Sequence, residues 1–287
     1  MGETGTARRI WELIEPVHAL VYFAPEARAA FDAAGYRGYW MGYFAGRAAP
    51  LGAVGVEVVD AVFYNFAVAR VARAVPSAWG FAGPERALAA RLSASVAALR
   101  RVLGAAADGP EVARAGELAA RAAAGAPRGG RALFAANQGL DVPDEPLARL
   151  WHAATLLREH RGDGHVAALL AAGIGGRESH VLHALSAGFT VDTYRASRDF
   201  TDEEWSACLD SLTRKGLAAD GTLTERGRAV KAGIEDATDR LAAEAYSSLS
   251  ATEVGELITL LEPIAGRIAA GGEIPRKSPM GLDLSRR

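Results

Sequence analysis

The sequence predicts a mainly α-helical protein, with an N-terminal multi-helical half and a smaller C-terminal unit that contains one short β-ribbon. Three observations predict it. Apolar residues repeat with helical spacing along nearly the whole chain. Alanine, the strongest helix former, dominates many of these segments. Prolines stand where the periodic runs begin or end, as their missing amide proton favours.

In chain order, the pattern predicts helices over residues 6–21, 26–34, 37–47, 54–74, 83–104, 110–124 and 128–138. Pro25, Pro84 and Pro110 open the second, fifth and sixth, Pro50 closes the third and Pro76 follows the fourth. Pro16 marks a first turn or a kink in the helix at 6–21. Pro143 and Pro146 introduce a helix over 144–161, which is expected to break at Gly162 and Gly164 before another over 164–173. Gly173-Ile174-Gly175-Gly176 then marks a boundary. Beyond it the order is helices over 177–187, 191–197 and 201–215, a ribbon over 217–224 around Asp220-Gly221, and long helices over 224–247 and 250–270. The expected units are a helical ligand-pocket domain over 1–175, a second domain over 176–272 and a flexible tail over 273–287. Phe44 to Phe66 echoes Phe134 to Ala154, which reads either as a duplicated helical unit with a crevice between its copies or as shared composition.

With 287 residues the chain is long enough for two modest cores. Half the residues are hydrophobic and the net charge is only −2, which excludes a disordered chain and any strong general attraction to nucleic acid or anionic membrane. Lys215, Lys231 and Lys277 are the only lysines, so most cations are arginines. Together with abundant Ala and Gly this reads as coding bias, and a single arginine carries little weight. Cys208 is the only cysteine, so no internal disulfide is expected. No signal peptide and no apolar run of about 18 residues is visible, and a cytoplasmic protein without a membrane partner is expected.

The C-terminal third carries Phe200-Thr201-Asp202-Glu203-Glu204-Trp205, Leu212-Thr213-Arg214-Lys215-Gly216-Leu217 and Leu223-Thr224-Glu225-Arg226-Gly227. On these strings residues 178–270 resemble the MarR-type winged-helix family. The resemblance implies a DNA-reading module, often dimeric through its long terminal helices and responsive to a small ligand. The chain as a whole resembles a group of actinobacterial helix-turn-helix proteins, on Glu15 to Phe23, Gly46 to Gly52, Phe63-Tyr64-Asn65-Phe66 and 157–165. Charge argues for a degenerate module. The implied recognition helix is capped by Thr201 and opens with Asp202-Glu203-Glu204, which suits the helix dipole but repels phosphates. Asp220 stands at the wing tip where an arginine would enter a minor groove. Arg195, Arg198 and the Arg276-Lys277 tail keep some phosphate contact open.

Candidate chemistry centres on Leu157 to His165, where two imidazoles, two carboxylates and two guanidiniums crowd together. Either this is a solvated helix end or Glu159, His160, Asp163 and His165 converge on a ligand. Were a reaction to follow binding, His160 or His165 is the expected general acid or base, oriented by Glu159 or Asp163, with Arg158 or Arg47 facing negative charge. His152 lies on the same helical line as Glu159. His18, with Tyr22 at i+4 and Glu15 at i−3, is either a bonded core histidine or part of a polar cluster facing a pocket. Tyr36, Tyr39, Trp40 and Tyr43 form an aromatic stripe ending at Arg47, and Tyr64 and Asn65 are candidates to complete that wall. His180-x-x-His183 is the nearest approach to a metal motif, and no metal is expected. The expected protein binds a small, partly aromatic or anionic molecule in its first half, with no cofactor identified, and pairs as a homodimer. The alternative is a ligand-responsive regulator that binds duplex DNA.

Overall fold

A computed structural model describes residues 2–276, 281, 282 and 284 of the chain. The first part runs α1 (Glu3–Phe23), α2 (Pro25–Ala34), α3 (Gly38–Ala48), α4 (Val56–Phe63), α5 (Val68–Ala74), α6 (Ala78–Phe81), α7 (Pro84–Leu103), α8 (Pro110–Gly125), α9 (Ala132–Gln138) and α10 (Pro146–Ala171). Then come α11 (Gly176–Ala187), α12 (Val191–Arg198), α13 (Asp202–Arg214), β1 (Ala218–Ala219), β2 (Thr222–Leu223), α14 (Glu225–Ala243) and α15 (Ala251–Ala270). Pro25, Pro84, Pro110 and Pro146 each sit in a first helical turn, where no amide proton is required. The ribbon is a two-residue hairpin pairing Ala218 with Leu223 and Ala219 with Thr222. Asp220 and Gly221 both take positive φ, 49° and 71°, the combination that closes a tight antiparallel turn.

The expected break at Gly162 and Gly164 does not occur: α10 runs unbroken through both. Each glycine costs a helix up to ~1 kcal/mol in propensity, but packing decides here. A Cβ on Gly164 would come within 3.3 Å of Leu241 Cβ on α14, so the glycine admits that helix at close range. A second difference lies at 54–74, where the chain leaves the helix at Tyr64, with φ 61° and ψ −46°, and resumes as α5. Tyr64 is held there by its hydroxyl, which donates to Ile174 O at 2.6 Å.

Three apolar cores form around α10 and its neighbours. The first joins α1, α2, α7, α8 and the middle of α10 around Trp151, and it includes Leu257, Leu261, Ile264 and Ile268 of α15. These residues of the last long helix are thus covered within one chain. Ile274, Leu282 and Leu284 of the expected flexible tail are also buried in this core, while 277–280, 283 and 285–287 lie outside the described residues. Lys277 is among the latter. The second core gathers the end of α10 with α11, α12, α13, the ribbon and Ile234 of α14. The third collects Phe44, Phe63 and Phe66 where α3, α4 and α5 meet.

One glycine sets how closely two of these groups approach. A Cβ on Gly176, the first residue of α11, would lie 1.9 Å from Tyr64 O. Gly176→Ala therefore requires the backbone to shift, an overpacking cost of about 1–3 kcal/mol. We expect its thermal midpoint to fall by several degrees, and an unchanged midpoint would show that α11 does not depend on this contact.

Candidate ligand-binding site

Helix α10 is buried on nearly every side, yet its middle turns carry Arg158, Glu159, His160, Arg161 and Asp163. Buried charges need partners, and those partners define the site. Arg47 of α3 grips Glu159 with Nε and Nη2, each at 3.1 Å, and Arg158 Nη1 donates to the same carboxylate at 2.9 Å. Burial alone would raise the Glu159 carboxyl, but Arg158 and Arg47 outweigh it and hold the group far below the usual carboxylate range. Arg158 also faces Glu15 at 3.5 Å, and Trp11 Nε1 donates to Glu15 at 3.1 Å. Arg47 lies over the Phe63 ring at 4.2 Å. Without a side chain, Gly162 leaves room beside this hub, since its Cβ would sit 3.6 Å from Glu159 Oε2.

A directional hydrogen-bond chain borders the hub. Thr155 Oγ1 donates its one proton to Trp151 O at 3.0 Å, so it accepts from His18 Nδ1 at 2.9 Å. Burial, reinforced by Arg158, keeps His18 neutral well below its ordinary range. His18 Nε2 is therefore an acceptor, and the Tyr22 hydroxyl donates to it at 2.8 Å. Burial in turn keeps the Tyr22 phenol protonated. The oxygen lone pairs of Tyr22 are what this pair presents to the space beyond.

That space consists of two cavities with Tyr22, Phe23, Tyr39, Tyr43 and Arg47 as a shared wall. The smaller, of about 370 Å³, lies against α1, α2 and α3, with His18, Trp151, Arg91 and Glu159 among its lining residues. Arg91 is held by Gly46 O at 3.1 Å and Asn137 Oδ1 at 2.9 Å, and burial lowers its guanidinium to about 10. The larger, of about 770 Å³, reaches from α1, α3 and α10 to α11, α12 and α14. Both sizes fall in the range of small-molecule pockets.

His18, Tyr22, Tyr43, Arg47, Arg158 and Glu159 are thus brought together, and Trp40, Asn65, Asp163 and His165 line the larger cavity. Other expected site residues stand apart. Tyr36 donates to Ala82 O and Gly83 O, a structural role. Tyr64 is occupied at Ile174 O. His152 and His160 are buried, line neither cavity and are held down to about 4 by desolvation. His160 packs edge-on against Phe134 with 5.0 Å between centroids. The unbroken helix is the reason: His160 follows Glu159 by about 100° of rotation and faces α9, not the hub.

Asp163 Oδ2 accepts the Phe134 amide at 2.9 Å and so caps the start of α9, and burial pushes its carboxyl up to about 6. His165 Nδ1 is bound to Thr238 Oγ1 at 2.9 Å. No acid–base pair forms between these groups. His180 Nε2 donates to Asn65 O at 3.1 Å, and among the described residues no group of three His, Cys, Asp or Glu side chains is arranged for a metal ion.

The sequence gives no signal for Arg8, Glu235 or Arg91. Arg8, Arg161, Lys231, Glu235 and Asp239 tie α1, α10 and α14 together through Arg8–Asp239 at 2.7 Å and Arg161–Asp239 at 2.8 Å. Arg91 and Arg198 join the cavity walls. Burial by distant elements selects them from many arginines, and no local motif marks them.

Outside the cavities, α13 exposes Asp202, Glu203, Glu204 and Asp210. Arg195 is paired with Asp192 and Asp202, and Arg177 with Glu204, so these cations are already matched. No helix of the described residues is long and apolar enough to cross a membrane. A family model described as a helix-turn-helix family matches residues 7–275. No curated protein and no solved structure matches the chain.

Proposed function

We propose, from the premise that the chain belongs to the helix-turn-helix family, that it is a small-molecule-binding protein whose larger cavity receives a small aromatic or anionic ligand. In this reading α12 and α13 are the two helices of the motif, and the β1–β2 hairpin is the wing of a MarR-like winged helix. One observation carries the reading: the 770 Å³ cavity is walled jointly by the N-terminal helices and by α11, α12 and α14 of the motif-bearing part. Trp40, Tyr43 and Phe66 supply aromatic surface, and Arg47 and Arg158 supply cations, the mixture that small planar acids require. The acidic first turn of α13 and the prior pairing of Arg195 argue that duplex binding is weakened or lost.

The family itself favours a second reading, a ligand-responsive regulator that still binds DNA. Binding to genomic fragments across a salt series separates the two. We expect weak retention with a shallow salt dependence. Tight retention that falls steeply with salt would reverse the order of the two readings. A thermal-shift panel of aromatic acids and amides tests the cavity, and no stabilisation by any member would count against it.

A further inference from the structure

The ionic groups around the larger cavity can be matched almost one by one. Arg8 reaches Glu235 and Asp239, Arg161 reaches Asp239, and Lys231 reaches Glu235. Arg47 and Arg158 share Glu159, with Glu15 beside Arg158. Arg198, at the end of α12, differs. It lines the cavity, stacks over Phe66 at 4.8 Å and donates Nη1 to the neighbouring Ser197 O at 2.8 Å. Its Nε is buried without a hydrogen-bond partner, and no carboxylate among the described residues forms an ion pair with it. Tyr39 and Tyr43 line the same space and lie within its electrostatic reach. A partly desolvated guanidinium with an unfilled donor, flanked by aromatic faces, favours an incoming acid group over water.

We propose that the larger cavity takes an organic anion, a flat apolar body carrying one carboxylate or similar acid group, and that Arg198 receives the acid. The proposal rests on the reading of this cavity as a ligand chamber. It also assigns a consequence to occupancy, because Arg198 adjoins the turn that joins α12 to α13. That turn passes through Asp199 in the left-handed region, with φ 51°. From outside it is already tied down: Asp199 is paired with Arg70 and Arg73 of α5. Arg177 of α11 donates to Arg198 O at 2.6 Å and to Asp199 O at 3.1 Å. The cavity side has no equivalent tie. A ligand acid on Arg198 supplies it, linking the turn through the ligand body to α3 and α10, so occupancy steadies the motif.

The probes are 2-naphthoate and its neutral counterpart 2-naphthamide, read by calorimetric titration and by hydrogen exchange across 191–201. In the parent protein the acid is expected to bind about tenfold tighter than the amide and to slow exchange at the α12–α13 turn. Arg198→Gln should abolish that preference, Arg198→Lys should keep part of it, and Arg195→Gln, on an exposed and already paired side chain, should leave it intact. Equal binding of the two probes by the parent, or an undiminished preference in Arg198→Gln, overturns the anion assignment while leaving the chamber reading standing. Binding of neither probe overturns both.

Discussion

Acidification from neutral pH to about 4.5 is expected to unfold this protein cooperatively. All six histidines of the chain are driven toward the neutral form, first by desolvation. His152, His160, His165 and His183 fall to about 4 from an ordinary value of 6.5, and burial also holds His18 and His180 well below that ordinary value. A depressed histidine contributes stability that is present above its unfolded value and is lost as pH falls through its folded one. Between 6.5 and about 4 the unfolded chain therefore binds protons that the folded chain refuses. At the steepest point six such groups give a slope of roughly 8 kcal/mol per pH unit, against a total stability of about 5–15 kcal/mol.

Asp163 works the other way. Its carboxyl is raised to about 6, so its contribution is fully present at low pH and is lost as pH rises through that value. One such group returns only about 2 kcal/mol by pH ~4.5 and does not alter the outcome. The depressed carboxylates Glu159 and Glu235 lose their contribution only below the ordinary range of 4.5, outside this window. Circular dichroism across a pH series is the measurement. His160→Met, at a ring whose Nε2 is buried without a partner, should move the acid midpoint downward. A protein fully folded at pH ~4.5 would show that these imidazoles are hydrated.

Helical periodicity makes most of the fold legible in the sequence, because amphipathic spacing and prolines at first turns are local signals. The Asp220-Gly221 turn was legible for the same reason. The site was legible in part. His18 and Tyr22 are one helical turn apart, and Arg47 follows the aromatic stripe by one turn, so each pair shares a helix face and meets the same hub. The failure at Gly162–Gly164 has a definite physical origin. Local propensity disfavours helix there, whereas close contact with Leu241 of α14 favours it, and nothing local reports the second effect. A continuous helix then turns His160 away from the hub and gives Asp163 to the start of α9. The sequence leaves Arg198 open to phosphate contact, whereas in the fold it lines the cavity. The direction of a long side chain beside a motif turn depends on what packs over it, and here that is Phe66, more than a hundred residues earlier.

Glu159→Gln is expected to lower the thermal midpoint by about 10 °C, a large effect for a substitution that preserves shape. Two guanidiniums converge on this one carboxylate, Arg47 through two nitrogens at 3.1 Å and Arg158 at 2.9 Å, and all three side chains are largely shielded from water. The amide removes the negative charge and replaces one acceptor oxygen with a donor that faces a guanidinium. Removing one partner of a buried pair typically costs about 3–5 kcal/mol, mainly because the remaining charge stays buried without compensation. The gross worth of the pair is a different quantity. Replacing Arg47 and Glu159 together by Met and Leu should therefore recover much of the loss, with Glu15 still beside Arg158. Stability and binding should also move in opposite directions. With Glu159 neutral, Arg47 on the shared wall and Arg158 on the larger cavity lose the charge that offsets them, so 2-naphthoate should bind Glu159→Gln more tightly than it binds the parent, while 2-naphthamide should not. A midpoint within a degree or two of the parent would mean that water reaches the hub. Equal loss of both probes would mean that Glu159 shapes the cavity and does not set its charge.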